Sequence, residues 1–182
     1  MNIRIAICGY GNLGKGADRA ALAAPDIDLV AIFTRRPNEP LQTLGSVPVL
    51  PLSALRHWKG QVDVLLLCGG SATDLPRQTP TFAADFNTVD SFDTHEKIPA
   101  HFAAVDRAAR SSGHLALISA GWDPGLFSAA RSLFASALPN GETVTFWGRG
   151  VSQGHSDAIR RIAGVVDARQ YTVPVPQSLE AV

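Results

Sequence analysis

The segment Gly9-Tyr10-Gly11-Asn12-Leu13-Gly14 spaces three glycines as main chain must be spaced to come close to a phosphate. It directly follows the apolar run 3–8. It opens a stretch where Leu13, Ala17, Ala20, Ala21 and Ala24 recur at helical spacing until Pro25 stops it. In this strand–turn–helix setting Gly9 permits the tight turn. Gly11 lets the backbone approach a pyrophosphate, and Gly14 lets the helix pack close to the strand. The helix start then offers free N–H groups and a partial positive charge to the anion. A glycine-rich turn that merely packs is the alternative, and the context favours dinucleotide binding.

About 20 residues on, an NAD-binding version would place Asp or Glu at the end of the second strand. Here that strand ends in Phe33-Thr34-Arg35-Arg36. Two guanidiniums there could grip a 2′-phosphate through paired hydrogen bonds, which favours NADP over NAD. Adjacent arginines also occur in plain solvated loops. Cys68-Gly69-Gly70-Ser71-Ala72-Thr73-Asp74 follows another apolar run and would lie at the ligand-binding edge of an open α/β sheet. Its Ser71 and Thr73 could donate to a ligand, and Thr73 or Asp74 could equally cap a helix. Asp93, in Ser91-Phe92-Asp93-Thr94-His95, and Asp123, in Gly121-Trp122-Asp123-Pro124-Gly125, follow strands that end at the same edge. Both are candidates for chemistry above a nicotinamide ring, and each could be only a helix cap.

The elements that must position these residues alternate. Runs at 3–8, 29–33, 62–68, 87–89 and 115–119 read as strands. Ile98, Phe102, Val105 and Ala109 form the stripe of a helix that Ser111-Ser112-Gly113 ends. Such alternation implies βαβ crossovers, hence a Rossmann-type, doubly wound parallel sheet in an α/β fold. Residues 35–51 carry four prolines and read as a surface loop, followed by one or two helical turns at 52–58. Near Gly121 the pattern changes. Asp123 and Pro124 suit the start of a helix with Leu126, Ala130, Leu133, Phe134 and Ala137 on one face. A strand at 143–147, a helix at 157–162 and a strand at 170–175 follow. This divides the chain into a dinucleotide-binding domain at 1–120 and a smaller α+β unit at 121–182. About 60 residues are few for an independent core, so the second unit is incomplete or borrows its burial from a partner.

The 182 residues carry 16 Lys and Arg against 16 Asp and Glu, a formal net charge of zero. That argues against a nucleic-acid binder with a broad basic surface. At 46% hydrophobic and 18% charged the composition suits a packed core. No apolar run is long enough for a membrane span, and the first residues lack a signal-peptide pattern, so a cytoplasmic protein is expected. Cys8 and Cys68 read as buried free thiols rather than as a redox pair or metal ligands. His57, His95, His101, His114 and His155 show no metal-binding spacing, and no nucleophile elbow is present. No metal is expected.

The residues resemble the N-terminal part of the meso-diaminopimelate D-dehydrogenase family over nearly the whole chain, from Ile3 to about Thr172. The resemblance rests on the glycine loop, Phe33-Thr34-Arg35-Arg36, Gly70-Ser71-Ala72-Thr73-Asp74, Gly121-Trp122-Asp123-Pro124-Gly125 and Phe146-Trp147-Gly148. Above all it rests on Ser152-Gln153-Gly154-His155-Ser156-Asp157-Ala158-Ile159-Arg160-Arg161. It implies NADP as cofactor and meso-diaminopimelate as substrate, deaminated at its D-centre. Cofactor contacts are implied for Gly9, Tyr10, Gly11, Asn12, Leu13, Gly14, Arg35, Arg36, Cys68, Gly69, Gly70 and Ser71. They are implied also for Ser91, Phe92, Ser119, Ala120, Gly121, Trp122 and Pro124. Asp93 and Asp123 would be catalytic and meet the D-amino centre, and Trp122, Trp147, Gln153, Gly154 and Thr172 would line the rest of the pocket. An adjacent carboxylate suits this reaction, because hydride loss from an amine carbon leaves a cationic imine that water must hydrolyse. Family chains are longer, so the resemblance implies that residues 121–182 begin a substrate-binding and dimerisation domain, with further substrate residues beyond Val182 and a homodimer when complete. A non-catalytic NADP-binding module, or a dehydrogenase for another D-amino acid, are the competing readings.

Overall fold

The structure, a computed structural model, describes residues 2–36, 41–141 and 149–173. Ile3–Cys8 (β1), Ile27–Thr34 (β2), Val49–Pro51 (β3), Val64–Leu67 (β4), Asn87–Asp90 (β5) and Ala116–Leu117 (β6) form one sheet. Its strand order is β3-β2-β1-β4-β5-β6, and every pairing is parallel. Helices Asn12–Ala23 (α1), Leu75–Ala83 (α2), Ile98–Ser112 (α3) and Leu126–Ala137 (α4) follow β1, β4, β5 and β6, and a 3-10 helix at Leu52–Trp58 follows β3. The sheet is the doubly wound Rossmann type. No helix among the described residues is long and apolar enough to cross a membrane.

The alternation of strand side chains builds a core on each face. Ala6, Cys8, Ala31, Phe33, Leu65 and Leu67 point one way, toward Leu55, Leu75, Phe82 and Phe86. Ile7 and Ile32 point the other way, with Tyr10 and the α1 residue Ala17. Helix α1 buries only small or polar groups, Gly14, Asp18 and Ala21, so it can lie close against β1 and β2. Asp18 is fully buried. Its carboxylate accepts the Tyr10 hydroxyl at 2.6 Å and the Leu44 N–H at 3.0 Å, which ties the loop after β2 to α1.

Three expected elements differ in detail. Helix α3 buries His101, Val105 and Ala109, while Phe102 is 56% exposed, so the inward stripe is rotated by one residue. The rotation lets the His101 ring stack on Phe92 at 4.1 Å. Strand β6 keeps only two paired residues because Ser119 takes a left-handed φ of 57° just beyond it. Pro124 stands ahead of α4 rather than in its first turn. The Asp123 carboxylate accepts the Ser128 hydroxyl at 2.8 Å.

The chain divides into two compact units, residues 1–137 and 138–182. In the second, Gly150–Ser152 (β7) pairs antiparallel with Gln170–Thr172 (β8), and Gln153–Arg160 (α5) joins them. This helix begins four residues earlier than its periodicity predicts. Its Ser156 hydroxyl is the pin: buried, it donates to the Ser152 carbonyl and accepts the Gln170 N–H at 2.9 Å. The strand expected at 143–147, with Trp147, and the end of that expected at 170–175 lie outside the described residues.

Candidate functional site

The C-terminal ends of β1, β2 and β4 converge, and main-chain bonds lock them together. The Gly9 N–H donates to the Phe33 carbonyl and the Cys68 N–H to the Cys8 carbonyl, each at 2.8 Å. Gly9 turns with φ of +97°, a conformation that L side chains rarely adopt. At Gly14 a Cβ would lie 2.2 Å from the Gly9 carbonyl oxygen, so α1 can start this close only without a side chain. Gly11 faces open space, and α1 begins there with no side-chain cap on its N–H groups. An anion would find both room and donors.

Above these ends lies one cleft. It is lined by Gly9, Tyr10 and Gly11, by Thr34, Arg35 and Arg36, by Cys68, Gly69 and Gly70, and by Leu52, Asp74 and Gln78. The structure thus brings the glycine turn, the paired arginines and the second glycine pair to one surface. Tyr10 enters with its backbone, since its ring is buried and its hydroxyl is engaged by Asp18. Burial and that carboxylate push the Tyr10 hydroxyl up to about 12. Burial likewise raises the Cys8 and Cys68 thiols to about 12, so both are neutral thiols at ordinary pH. Leu13 is half-exposed, and Asn12, Leu13 and Gly14 form the first turn of α1 below the cleft.

Two residues of this cleft, Asp74 and Gln78, lie outside the expected set of cofactor contacts. The Asp74 carboxylate accepts the Gly70 N–H at 3.1 Å and both terminal nitrogens of Arg35, at 2.9 and 3.1 Å. It caps no amide of α2. Gln78 Oε1 is buried with no hydrogen-bond partner among the described residues. Its place one turn after Asp74, on the same helix, was a readable signal.

Beside this cleft, Asp90 organises the segments that carry Asp93 and Asp123. Its buried carboxylate accepts the Thr79 hydroxyl at 2.7 Å and lies 2.7 Å from His101 Nε2. It also accepts the N–H groups of Phe92 at 3.0 Å and Ser119 at 2.9 Å. The Asp90 carbonyl accepts the Ala120 N–H at 2.8 Å. Phe92 therefore turns its ring into the core, and Asp93 is exposed. The Asp93 N–H donates to the Ser71 hydroxyl at 2.9 Å, which joins the β4 loop to the β5 loop. Ser91 sits half-buried between them, and the Ser119 hydroxyl is buried with no partner among the described residues.

Gly121, Trp122, Asp123 and Pro124 form a closed turn: the Gly121 N–H donates to the Pro124 carbonyl at 3.1 Å and the Leu126 N–H to the Gly121 carbonyl at 3.0 Å. Trp122 is 67% exposed and stacks on Phe127 at 5.4 Å. Arg131 lies over the other partner of that stack, 5.0 Å from the Phe127 ring, and 3.4 Å from the Asp123 carboxylate. In the second unit, Thr172 pairs with Gly150, and Gln153 and Gly154 open α5. The exposed His155 has Nδ1 3.0 Å from Gln170 Oε1. Trp147 lies outside the described residues.

A doubly wound parallel sheet whose glycine turn, helix start and arginines share one cleft defines a Rossmann-type nucleotide-binding protein. By sequence the chain is similar to the meso-diaminopimelate D-dehydrogenases, and it spans about 55% of the length of the curated relatives it matches. It is 56% identical to the enzyme of that name from Ureibacillus thermosphaericus, over 99% of this chain and 55% of that protein. Residues 121–182 match the family model described as the diaminopimelic acid dehydrogenase C-terminal domain. A solved variant of the Clostridium tetani meso-diaminopimelate dehydrogenase with DAP superposes with a TM-score of 0.85 at 52% identity, covering 99% of this chain and 55% of that one. An engineered D-amino acid dehydrogenase bound to NADP+ superposes with a TM-score of 0.80 at 46% identity, with the same coverage.

Proposed function

We propose that this chain is the NADP(H)-binding part of an enzyme that oxidatively and reversibly deaminates meso-2,6-diaminopimelate at its D-centre. The products would be L-2-amino-6-oxopimelate and ammonia, a step of lysine biosynthesis. The observation that carries the reading is the single cleft in which residues 9–11, Arg35 and Gly69-Gly70 meet. NADP fits that chemistry: the uncapped start of α1 suits the pyrophosphate, the arginine the 2′-phosphate, and the orphaned Gln78 oxygen a ribose hydroxyl. When bound, NADP+ supplies the hydride acceptor. The protein's part is to hold two acids at the same sheet edge. Asp93 presents its exposed carboxylate on a backbone fixed by Ser71 and by the buried Phe92. Asp123 presents a half-exposed carboxylate steadied by Ser128 and Arg131. Such carboxylates stabilise a cationic imine and can orient or deprotonate the water that attacks it. On this reading residues 121–182 begin the substrate and dimerisation domain of a homodimer, and Trp122, Gln153, Gly154 and Thr172 are the residues for which the resemblance implies substrate contacts.

Fluorescence titration of the chain with NADPH and NADH tests the binding half. Saturable binding with preference for NADPH is expected. Arg35→Ala should cost about 1.5–3 kcal/mol of NADPH affinity, the scale of a charge-assisted hydrogen bond, and leave NADH binding nearly unchanged. Equal losses for both cofactors would overturn the assignment. Turnover is read as NADP+ reduction with meso-diaminopimelate in a chain of the relatives' length carrying these residues. There Asp93→Asn and Asp123→Asn should lower kcat while NADPH still binds. Turnover of other D-amino acids alone would favour the broader dehydrogenase reading, and binding without any turnover the non-catalytic module.

A further inference from the structure

The guanidinium that the reading above assigns to a 2′-phosphate is already held inside the cleft. Both terminal nitrogens of Arg35 contact the Asp74 carboxylate, at 2.9 and 3.1 Å, the paired geometry a phosphate would also take. The two partners are unequal. The Asp74 side chain is 12% exposed and that of Arg35 68% exposed. The Gly70 N–H fixes one Asp74 oxygen at 3.1 Å, and a Cβ on Gly69 would come within 2.9 Å of the Asp74 Cβ. The carboxylate is the fixed anchor and the arginine the movable arm.

We propose that Asp74 is a specificity-determining residue of this cleft, an internal carboxylate that competes with a 2′-phosphate for Arg35. The proposal rests on the NADP(H) reading. A phosphate can reach Arg35 either by displacing Asp74 or by using the remaining donors beside a like charge, and both lower its affinity. Neither applies to a 2′-hydroxyl, which can donate to the same carboxylate. Asp74 therefore narrows the preference for the phosphorylated dinucleotide that Arg35 creates.

The test is calorimetric titration of the chain and its Asp74→Asn variant with NADPH and NADH. Adenosine 2′,5′-bisphosphate and 5′-AMP serve as probes of the adenosine half. Asparagine keeps an oxygen for the Gly70 N–H. Asp74→Asn should tighten NADPH and the bisphosphate by about 3- to 10-fold, the scale of a partly exposed ion pair. It should leave NADH and 5′-AMP unchanged or weaker, and the gain should vanish in an Arg35→Ala background. Asp74→Ser should change affinity with the same sign, which guards against a variant that fails to fold. Equal changes for both dinucleotides, or weaker NADPH binding by both folded variants, would overturn the proposal. If Arg35→Ala selectively weakens NADPH but neither Asp74 variant tightens it, this proposal fails alone. If the chain shows no preference for NADPH and Arg35→Ala changes nothing, the cofactor reading fails.

Discussion

His101 Nε2 lies 2.7 Å from the Asp90 carboxylate while its ring stacks on Phe92 at 4.1 Å, so α3 and the end of β5 share one buried polar joint. The same carboxylate accepts N–H groups from Phe92 and Ser119, the residues from which the Asp93 and Asp123 segments depart.

Removing that acceptor should therefore be costly. Asp90→Ala leaves the Thr79 hydroxyl, His101 and two amides without their partner, and about 3–5 kcal/mol of stability should be lost. Urea unfolding measures the loss. Thr79→Val, which removes a single donor, should cost about 1.5–3 kcal/mol, the value of one hydrogen bond to a charged group. Faster hydrogen exchange at Phe92 and Ser119 in Thr79→Val, with α1 unaffected, would locate the damage at this joint.

Gly14 separates packing from binding. Gly14→Ala places a methyl against the Gly9 carbonyl, and α1 must shift away from β1. A destabilisation of about 1–3 kcal/mol is expected from such overpacking, with NADPH affinity lost in a chain that still melts cooperatively. NADPH titration and a thermal melt check the two halves. Undiminished affinity would mean that the turn does not cradle the phosphates.

High pH should loosen the same region. Cys8 and Cys68 ordinarily titrate near 9.0 and Tyr10 near 10.0, and burial raises all three to about 12 in the folded chain. A raised value means that the unfolded chain loses these protons first. The stability they contribute is complete below pH 9 and falls as pH climbs through 12. Unfolding midpoints measured between pH 8 and pH 12 should decline, and Tyr10→Phe should flatten the part above pH 10. At pH 7 both thiols should resist alkylation until the chain is unfolded.

Acid acts on the other end of the sheet. Arg4 holds Asp63 with its side chain at 2.7 and 3.0 Å and its N–H at 2.8 Å, which lowers the Asp63 carboxyl from 3.8 to about 2. A depressed value stabilises the fold above the ordinary range of the group and is lost as pH falls from 3.8 through 2. Asp63→Asn should remove that portion of the acid transition. An unchanged acid limb would show that the pair contributes nothing measurable.

How far these features were legible depends on the range of the contacts behind them. The glycine turn, β1 and α1 are local patterns, and residues 9–14 could be read as a turn before any tertiary contact was known. The inward stripe of α3 was misread because His101 looks like a surface residue until Asp90 stands opposite it. Asp90 itself ends a weak strand, and nothing local distinguishes it from Asp93 three residues later. Thr73 or Asp74 is a sound local candidate for a helix cap, and at Asp74 the contact with Arg35, 39 residues away, overrides it. The single apolar face of α4 is legible in the spacing, while its exposure is not: Leu126, Leu133 and Phe134 are each more than 60% exposed among the described residues.

The strand order carries a last implication. From β1 the sheet proceeds outward in two opposite directions, through β2 to β3 and through β4 to β6. The turn that leaves β1 and the turn that leaves β4 must then part, one crossing each face, and a hollow opens where they separate. It exists because of the winding and would survive wholesale exchange of the loops around it. What such a hollow accepts can therefore be rewritten by changing a handful of rim side chains, with the ladder of main-chain bonds beneath left untouched.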